Sequence, residues 1–226
     1  MSDFFKKLKY LIIRVPNKLS NTASKHIYIY FNRLLFYFNG IHYGVNMKIY
    51  NKIYLTVHPI AEVKIGDNFE FTSGNSINPL CRNIRGCIYA PKGSKIQIGN
   101  NVGISSACIW AKESITIGNN VLIGGDSIIL DTDAHCLNYN IRKLRTSPIT
   151  EERLQDGQTA KSVPIEIGND VLIGTRCIIL KGVKIGARSI IGSGSVVTKS
   201  IPEDCIAAGN PCKVLKQNIN KQNENI

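Results

Sequence analysis

Aliphatic residues recur at every sixth position in the last third of the chain. Glycine follows four of these aliphatics, and a valine, cysteine or serine stands four places after most of them. A spacing of six fits neither an amphipathic helix nor a simple alternating strand, so it indicates a repeat architecture. The positions on this period are Ile167, Ile173, Ile179, Ile185, Ile191 and Val197.

These hexads predict a chain that bends after each short extended segment and winds into a triangular coil. One aliphatic side chain per hexad points inward and stacks on its counterpart in the next coil, roughly 4.8 Å away, with backbone hydrogen bonds between coils. Glycine is expected to permit the bend where a Cβ would clash. Three hexads make one turn, and the stacked turns bury a continuous apolar column.

The same period recurs upstream, and two phase changes mark where the coil is interrupted. Ile98 and Ile117 are nineteen positions apart, one more than three hexads, which predicts a one-residue bulge at residues 110–113. Residues 131–164 carry no hexads, so they are predicted to form a long loop, and loops of this length are usually functional. This loop contains His135, whereas the other three histidines precede the hexads.

The hexads, the polar loop and the closing run from Ala207 to Val214 resemble the hexapeptide-repeat acyltransferases. The resemblance is greatest to the branch that acetylates maltose, galactosides and polysaccharides. It implies a left-handed parallel β-helix, a homotrimer, and acetyl-CoA bound in the groove between neighbouring prisms. The loop residues that carry the resemblance are Asp131, Asp133, His135, Arg142 and Lys143.

The expected fold class is therefore all-β, with one main domain and two appendages. The left-handed β-helix is predicted to occupy residues 61–215, with the loop excursion at residues 131–164. Residues 1–60 are expected to form a separate helical or mixed segment, and residues 216–226 a polar tail that frays.

Two short helices are predicted in the first segment, at residues 4–15 and 27–38, and the second is stopped by Asn39 and Gly40. Both mix apolar with basic side chains. Two interpretations remain open. The helices cap the apolar end of the first coil, as stacked repeats require, or they lie in a membrane surface beside a lipid-linked acceptor. The second interpretation gives a peripheral membrane contact through residues 1–40.

Composition limits the classes of protein without choosing among them. The chain has 226 residues, 43% of them hydrophobic, which suffices for one sizeable domain with appendages. We find no apolar run long enough for a membrane span and no secretory cleavage pattern. We therefore expect a cytoplasmic protein, with the inner face of the membrane as an alternative location.

The formal net charge of +12 indicates either an anionic partner or, for most individual lysines, a solvated surface with no specific partner. Three candidates are the phosphates of the coenzyme, an anionic glycan, and the anionic face of a membrane. Nucleic acid ranks last, because the basic residues are scattered and accompany no helix-turn-helix, zinc finger or aromatic platform.

The seven cysteines indicate packing and not a metal site. Cys108 and Cys177 occupy hexad positions that take small residues, where a free thiol packs as a small hydrophobe. Cys81 and Cys87 have no partner histidines nearby, so a zinc site is not expected and no metal should be required. Cys136 follows the loop histidine and keeps a thiol-acyl intermediate open as an alternative to direct transfer.

Acetyl transfer from a thioester to a hydroxyl requires a base for the hydroxyl proton and a donor for the oxyanion. Histidine serves as a base near neutral pH, and both the loop position and the resemblance assign that role to His135. Asp133 is preferred as the group that orients the imidazole, with Asp131, Glu151 and Glu152 as alternatives. Either aspartate could equally be a turn residue.

Three residues are assigned to the acceptor side of the site. Ser105 stands where the galactoside branch of the resembling family carries a substrate-contacting asparagine, so it is a candidate oxyanion donor or a simple corner residue. Arg142 and Asp131 are candidates for binding the acceptor, although Arg142 could instead pin the loop by a salt bridge.

The resemblance also implies contacts with the coenzyme. Gly174 and Gly192 would lie along the pantetheine groove, and Lys199, Pro211 and Lys213 would approach the adenosine end. Tight corners alone would also explain both glycines. The hexad that ends at Gly174 lacks the tryptophan that many relatives carry, which changes the expected shape of the acyl pocket.

These residues point to an acetyl-CoA-dependent O-acetyltransferase that acts on a sugar hydroxyl, in a saccharide or a surface polysaccharide, by direct transfer. One alternative is an N-acetyltransferase of an amino-sugar nucleotide or a small xenobiotic. Another is a non-catalytic β-helix scaffold. A carbonic anhydrase on the same prism is excluded, because it needs three metal-binding histidines.

Overall fold

The structure, a computed structural model, describes residues 15–74, 78–81 and 83–217. Within these residues, strands from successive turns of the chain stack into three sheets that form the walls of a triangular prism. The architecture is the left-handed parallel β-helix that the resemblance implies. Coils pair in register, so Ile115 lies between Ile96 of the preceding coil and Ile165 of the following one.

Each wall takes one strand from almost every coil. Sheet A contains β1 (His42–Tyr43), β4 (Glu62–Ile65), β7 (Lys95–Ile98), β10 (Ser114–Ile117), β13 (Ile165–Ile167) and β16 (Lys184–Ile185). Sheet B contains β2 (Lys48–Tyr50), β5 (Glu70–Thr72), β8 (Gly103–Ser105), β11 (Leu122–Ile123), β14 (Leu172–Ile173), β17 (Ile190–Ile191), β19 (Ile206–Gly209) and β20 (Cys212–Lys216). Sheet C contains β3 (Tyr54–Val57), β6 (Cys87–Ala90), β9 (Cys108–Trp110), β12 (Ile128–Leu130), β15 (Ile178–Leu180) and β18 (Val196–Val197). Only β20 pairs antiparallel among the described strands, folding back on β19.

The core is a column of stacked aliphatic side chains inside the prism. All six aliphatics of the downstream hexads are buried, from Ile167 to Val197. They join the upstream residues in one continuous cluster that reaches Phe36 at one end and Cys212 at the other. Burial of this column is the main favourable term that holds the coils together.

A ladder of asparagines fixes one corner of the prism. Asn46, Asn68, Asn101 and Asn120 have a positive φ between 56° and 58°. Each Nδ2 donates to the next side chain along the stack, with Asp170 accepting from Asn120, over 2.8–3.0 Å. Asparagine tolerates the left-handed conformation better than most residues, so these corners need no glycine.

The hexad glycines serve the close approach of neighbouring coils and not the bend itself. A Cβ on Gly118 would lie 2.8 Å from the backbone nitrogen of Asn169, which a real side chain does not tolerate. The predicted clash of a Cβ at these glycines is confirmed and comes from the next coil, whereas the left-handed backbone of the corners falls on other residues.

The phase change between Ile98 and Ile117 has two components. Ile104 and Ile109 are only five positions apart, whereas Ile109 and Ile117 are eight apart. The first of these steps is one residue shorter than a hexad and the second is two residues longer, so the net change is one extra residue. The longer step includes the predicted residues 110–113.

Another coil lies upstream of the predicted start of the prism. Strands β1, β2 and β3 pair with β4, β5 and β6, so the stacked strands begin at His42 and not at residue 61. Lys48 pairs with Glu70, 22 positions later, and this irregular length hides the period of six.

A long helix, α1 (Val15–Phe38), covers the open end of this coil. It contains the predicted helix at residues 27–38. Residues 4–14 of the other predicted helix, and residues 218–226 of the predicted tail, lie outside the described residues. Within the part of the chain that the structure describes, helices are not both long and apolar enough to cross a bilayer.

The predicted excursion leaves the prism after β12, at the corner between sheets C and A. It is not structureless, since it contains α2 (Tyr139–Lys143), a 3-10 turn (Leu144–Thr146) and α3 (Thr150–Thr159). A bridge between Thr132 and Ser162 closes its base.

Candidate active site on the excursion

Asp131 fastens the base of the excursion to the preceding coil. Its carboxylate accepts the backbone N–H of Lys112 at 2.6 Å and of Glu113 at 2.8 Å, and the residue is completely buried. Burial raises the pKa of Asp131, although these N–H groups act in the opposite direction. Such contacts are those of a structural residue, because both carboxylate oxygens are occupied by backbone N–H groups of the preceding coil.

Asp133 does not orient the imidazole, contrary to the prediction. Its Oδ1 is paired with the Nζ of Lys181, and its Oδ2 is buried without a hydrogen-bond partner among the described residues. Only its backbone carbonyl meets the loop histidine, by accepting the N–H of His135 at 2.6 Å. The carboxylate of Asp133 is instead paired with Lys181 of the neighbouring coil.

The imidazole of His135 is held by Asp156, which projects from α3. The Nδ1 of His135 lies 2.5 Å from the Oδ2 of Asp156, and the other oxygen of Asp156 accepts the backbone N–H of Cys136 at 2.8 Å. The aspartate is buried, whereas the histidine side chain is 47% exposed. A buried carboxylate on Nδ1 favours the tautomer that protonates this nitrogen and leaves Nε2 as the base.

Three neighbouring groups lower the pKa of the Asp156 carboxyl. The hydrogen bond from His135 lowers the pKa of Asp156, burial opposes it, and the Cys136 N–H and the charge of Arg145 lower it further. Asp156 therefore stays ionised near neutral pH.

Arg145 lies against the exposed edge of the imidazole. Its Nη1 is 3.3 Å from each ring nitrogen of His135 and 4.0 Å from the Oδ2 of Asp156. The side chain is 65% exposed on the 3-10 turn. An exposed cation thus stands beside the base.

Lys112 ties α3 to the prism. Its Nζ donates to the carbonyls of Gly157 at 2.7 Å, Gln158 at 3.3 Å and Ala160 at 2.6 Å. The last carbonyls of a helix lack intrahelical partners, and a lysine there satisfies them. Lys112 therefore fastens the end of the helix that bears Asp156 to the coil.

The acidic alternatives on α3 are occupied elsewhere or face outward. Glu152 accepts the hydroxyl of Ser147 at 2.5 Å, and Glu151 is exposed in the first turn of the helix. Neither is the hydrogen-bond partner of the imidazole, because both lie a turn or more before Asp156 on the helix.

Arg142 pins the loop and does not reach the imidazole in these contacts. Its Nη1 donates to the carbonyls of Cys136 and Leu137, each at 2.8 Å. The thiol side of Cys136 is buried, which leaves the covalent alternative without an accessible nucleophile.

A groove of about 720 Å³ runs along the outer face of sheet B, on a different wall. Ser105 lines it and accepts hydrogen bonds from the hydroxyl of Thr72 at 3.2 Å and the amide of Asn78 at 3.4 Å. In this arrangement the Ser105 hydroxyl keeps its own hydrogen for a ligand. Gly174 also lines the groove.

Close packing of the coils explains the two predicted coenzyme glycines. A Cβ on Gly174 would lie 2.5 Å from the backbone nitrogen of Ser193, and one on Gly192 would lie 2.8 Å from the Cβ of Ala208. The alternative stated from the sequence, that tight corners alone explain both glycines, agrees with these distances and needs no contact with the coenzyme.

The other predicted coenzyme residues lie towards the last coil, away from the groove lining. Lys199 follows β18 and Lys213 lies on β20, and both are exposed. Pro211 is exposed in the turn between β19 and β20. Their role at the adenosine end stays a prediction.

Within one chain the structure does not bring His135 and Ser105 together. The described residues that line the groove include none from the excursion. In the described part of the chain, no cluster of three or more histidine, cysteine, aspartate or glutamate side chains could hold a metal ion.

Sequence reasoning missed Asp156, Arg145 and Lys112. Nothing local marks them, because an aspartate in a polar helix and a lysine at a corner are common surface residues. Lys112, which reaches α3 from the prism, and Asp156, which α3 brings to His135, can only be recognised once the excursion has folded back.

Comparison with known proteins agrees with this architecture. Residues 164–199 match the family profile described as bacterial transferase hexapeptide (six repeats). The chain is 38% identical to the galactoside O-acetyltransferase of Escherichia coli K12 over 131 residues, which is 58% of each protein. The chain thus spans little more than half the length of this curated relative.

Comparison with solved structures supports the same fold. A galactoside acetyltransferase in complex with coenzyme A superposes with a TM-score of 0.50 and 28% identity, covering 80% of this chain and 66% of that one. An N-acyltransferase from Bacillus cereus in complex with dTDP and coenzyme A shares the fold, with a TM-score of 0.57, 19% identity and coverage of 78% and 83%. These matches confirm the resemblance to the hexapeptide-repeat acyltransferases that the sequence indicates, and the galactoside O-acetyltransferases are among the similar proteins.

Proposed function

We propose that the protein is an acetyl-CoA-dependent O-acetyltransferase whose acceptor is a sugar hydroxyl, in a saccharide or a surface-polysaccharide unit. The observation that supports this most strongly is the pair of His135 and Asp156, a half-exposed imidazole held on Nδ1 by a buried carboxylate. The curated relative is a galactoside O-acetyltransferase, which favours a hydroxyl acceptor over an amine.

The proposed reaction is direct transfer within a ternary complex. The Nε2 of His135 removes the proton of the acceptor hydroxyl as the hydroxyl oxygen attacks the thioester carbonyl. Asp156 stabilises the imidazolium that forms. The Ser105 hydroxyl and backbone N–H groups stabilise the tetrahedral oxyanion, and the imidazolium then returns its proton to the sulfur of the departing coenzyme A.

Arg145 borders the space through which the acceptor reaches the imidazole. Its Nη1 is 3.3 Å from both ring nitrogens, so it lies beside the direction along which Nε2 would accept a proton. Its side chain is exposed on a short turn and can rotate into solvent. Released from the ring, the guanidinium is placed to hydrogen-bond neighbouring hydroxyls of a saccharide.

We propose that the working enzyme is a homotrimer, because one chain holds the base and the groove on different walls. Packing the corner that bears His135 against sheet B of a neighbour would complete the site. Exposed apolar side chains on the outer faces support such contacts: Leu122 and Leu172 on sheet B, and Trp110 and Ile128 on sheet C. Heterologous contacts of this kind close into rings.

The acetyl-CoA is proposed to lie in the groove that Ser105 and Gly174 line. Pantetheine would follow the backbone of the coil corners, with Lys199, Pro211 and Lys213 towards the adenosine phosphates, which attract lysine. All seven cysteines are free, in agreement with a reducing, cytoplasmic location.

The test is the turnover of His135→Ala, measured by thiol release from acetyl-CoA with a panel of galactosides and other saccharides. We expect a loss of roughly 10² to 10⁴-fold with unchanged binding of coenzyme A by calorimetry. His42→Ala, an exposed histidine on sheet A, is the matched control and should keep the parental rate. Parental turnover in His135→Ala would refute the assignment.

A further inference from the structure

The side of helix α1 that faces the protein carries the buried Phe36 together with two polar side chains. The Nδ2 of the buried Asn32 donates to the carbonyls of Ile49 and Asn51, each at 2.9 Å. Arg33 donates to the carbonyl of Met47 at 2.9 Å. These bonds fix the rotation of the helix about its axis, so its opposite side must face outward.

That outward side is apolar. Residues three and four apart in a helix share a face, and six large side chains on this face are 53–79% exposed. Over Ile27 to Phe38 the face is about 17 Å long. We call it the aromatic stripe: Ile27, Tyr30, Phe31, Leu34, Tyr37 and Phe38. A contiguous patch of this kind on a soluble protein marks an interaction site.

The sequence around the stripe is strongly basic. Residues 1–38 contain seven lysines and arginines and one acidic residue, Asp3, a net charge of +6. This is half of the formal net charge of the whole chain, which is +12. An apolar face with basic neighbours has the composition of helices that lie in the membrane–water interface.

We infer that the aromatic stripe binds the surface of an anionic lipid bilayer, with α1 lying in the plane of the interface. Tyrosine prefers this depth because its ring is apolar and its hydroxyl stays wet. The basic residues add attraction to anionic headgroups. A second copy of the stripe would bring the same positive charge, which disfavours self-association through this face.

This binding is independent of the proposed acetyl transfer and can be measured without an acceptor. The test is flotation of the full-length protein with vesicles of phosphatidylcholine containing phosphatidylglycerol, and with vesicles of phosphatidylcholine alone. The stripe variant is Phe31→Ser/Leu34→Ser. The matched control is Ile60→Ser/Leu215→Ser, which removes two equally exposed aliphatics, 61% and 68%, outside α1.

We expect the parent and the control to float with the anionic vesicles, and the stripe variant to bind at least about tenfold more weakly. Added salt should weaken the binding, because it screens the basic residues. Circular dichroism establishes that both variants are folded. The inference is overturned if the parent does not float, if it floats equally with neutral vesicles, or if the stripe variant floats like the control. It is also overturned if the stripe substitutions dissociate an oligomer without changing lipid binding, since a second copy then covers the stripe.

Discussion

His135 and Asp156 lie 21 positions apart in the sequence, and their side chains meet with 2.5 Å between Nδ1 and Oδ2. Both belong to the excursion, so the pair is formed within one insertion and not by the prism. The prism contributes the fixed base from which the excursion starts and returns. Asp131 connects the base of the excursion to the preceding coil, and Lys112 of that coil holds the end of α3.

Replacing Asp156 by asparagine should impair catalysis more than folding. An amide on Nδ1 can favour the wrong tautomer of the imidazole, which in a comparable triad costs about 10⁴-fold in turnover. We expect a loss of at least about 10²-fold in kcat with little change in coenzyme affinity. Glu151→Gln, on the same helix and exposed, should behave as the parent in the same steady-state assay. Equal kcat values for the two variants would show that the aspartate does not act through the imidazole.

The same pair predicts how stability depends on pH. Because the folded-state pKa of Asp156 is lowered from its ordinary value of 3.8, its contribution to stability is complete above about pH 4 and is lost as the pH falls through the lowered pKa. The difference in Tm between the parent and Asp156→Asn should therefore shrink as the solution becomes strongly acidic. A difference that grows on acidification contradicts the sign of the shift.

Lys112→Met should loosen α3 without disturbing the coil. The substitution keeps most of the apolar stem but leaves three carbonyls without their donor. Hydrogen exchange at the end of α3 should accelerate by about tenfold or more, since a bond to a charged donor contributes about 1.5–3 kcal/mol, and kcat should fall. Lys161→Met, whose side chain is exposed nearby, is the control. Unchanged exchange in α3 with reduced kcat would assign Lys112 another role.

The asparagine ladder predicts an unusual order of stabilities. Asn120 has a φ of 57° and bonds Asn101 and Asp170 through its amide. Asn120→Ala loses these bonds and strains the corner, at a cost of about 1–2 kcal/mol for the left-handed conformation alone. Asn120→Gly loses the same bonds without the strain. Chemical denaturation should therefore rank the parent first, the glycine variant second and the alanine variant last. An alanine variant as stable as the glycine variant would show that strain of the left-handed backbone at position 120 does not contribute to the difference.

A shared site predicts complementation between two inactive variants. His135→Ala lacks the base, and Ser105→Phe fills the groove. Mixed trimers re-formed from equal amounts should regain activity in about a quarter of their sites, because the base and the groove then come from different chains at random. Size-exclusion chromatography verifies that both variants assemble. Absence of recovery in mixed trimers would place both residues in a site within one chain.

The prism could be predicted from the sequence because its determinants are local and repeated. The hexads from Ile167 to Val197 each place one aliphatic inward, and backbone pairing between coils then fixes the register of the next. The first coil escaped prediction because its 22-residue length breaks the period. Its core residues, among them Met47 and Ile49, are buried like the rest but lie at irregular spacings.

Only part of the candidate site could be predicted from the sequence. His135 stands out as the one histidine inside the repeat region. Asp133, two residues away, is the nearest carboxylate in the sequence that could pair with the imidazole. In the structure its carboxylate pairs with Lys181 of the neighbouring coil. A choice between carboxylates depends on which cations and helices pack nearby, and no local pattern records this.

The sequence by itself determined the triangular coil, its apolar column, the position of the excursion and the histidine on it, because each follows from a short-range period or its interruption. Only the tertiary structure decided that Asp156 holds the imidazole, that Lys112 anchors α3 and that α1 turns its aromatic side to solvent. The physical reason is that these contacts join segments 17 to 48 residues apart. Their geometry depends on where the folded chain returns, and a distance in sequence does not specify a distance in space.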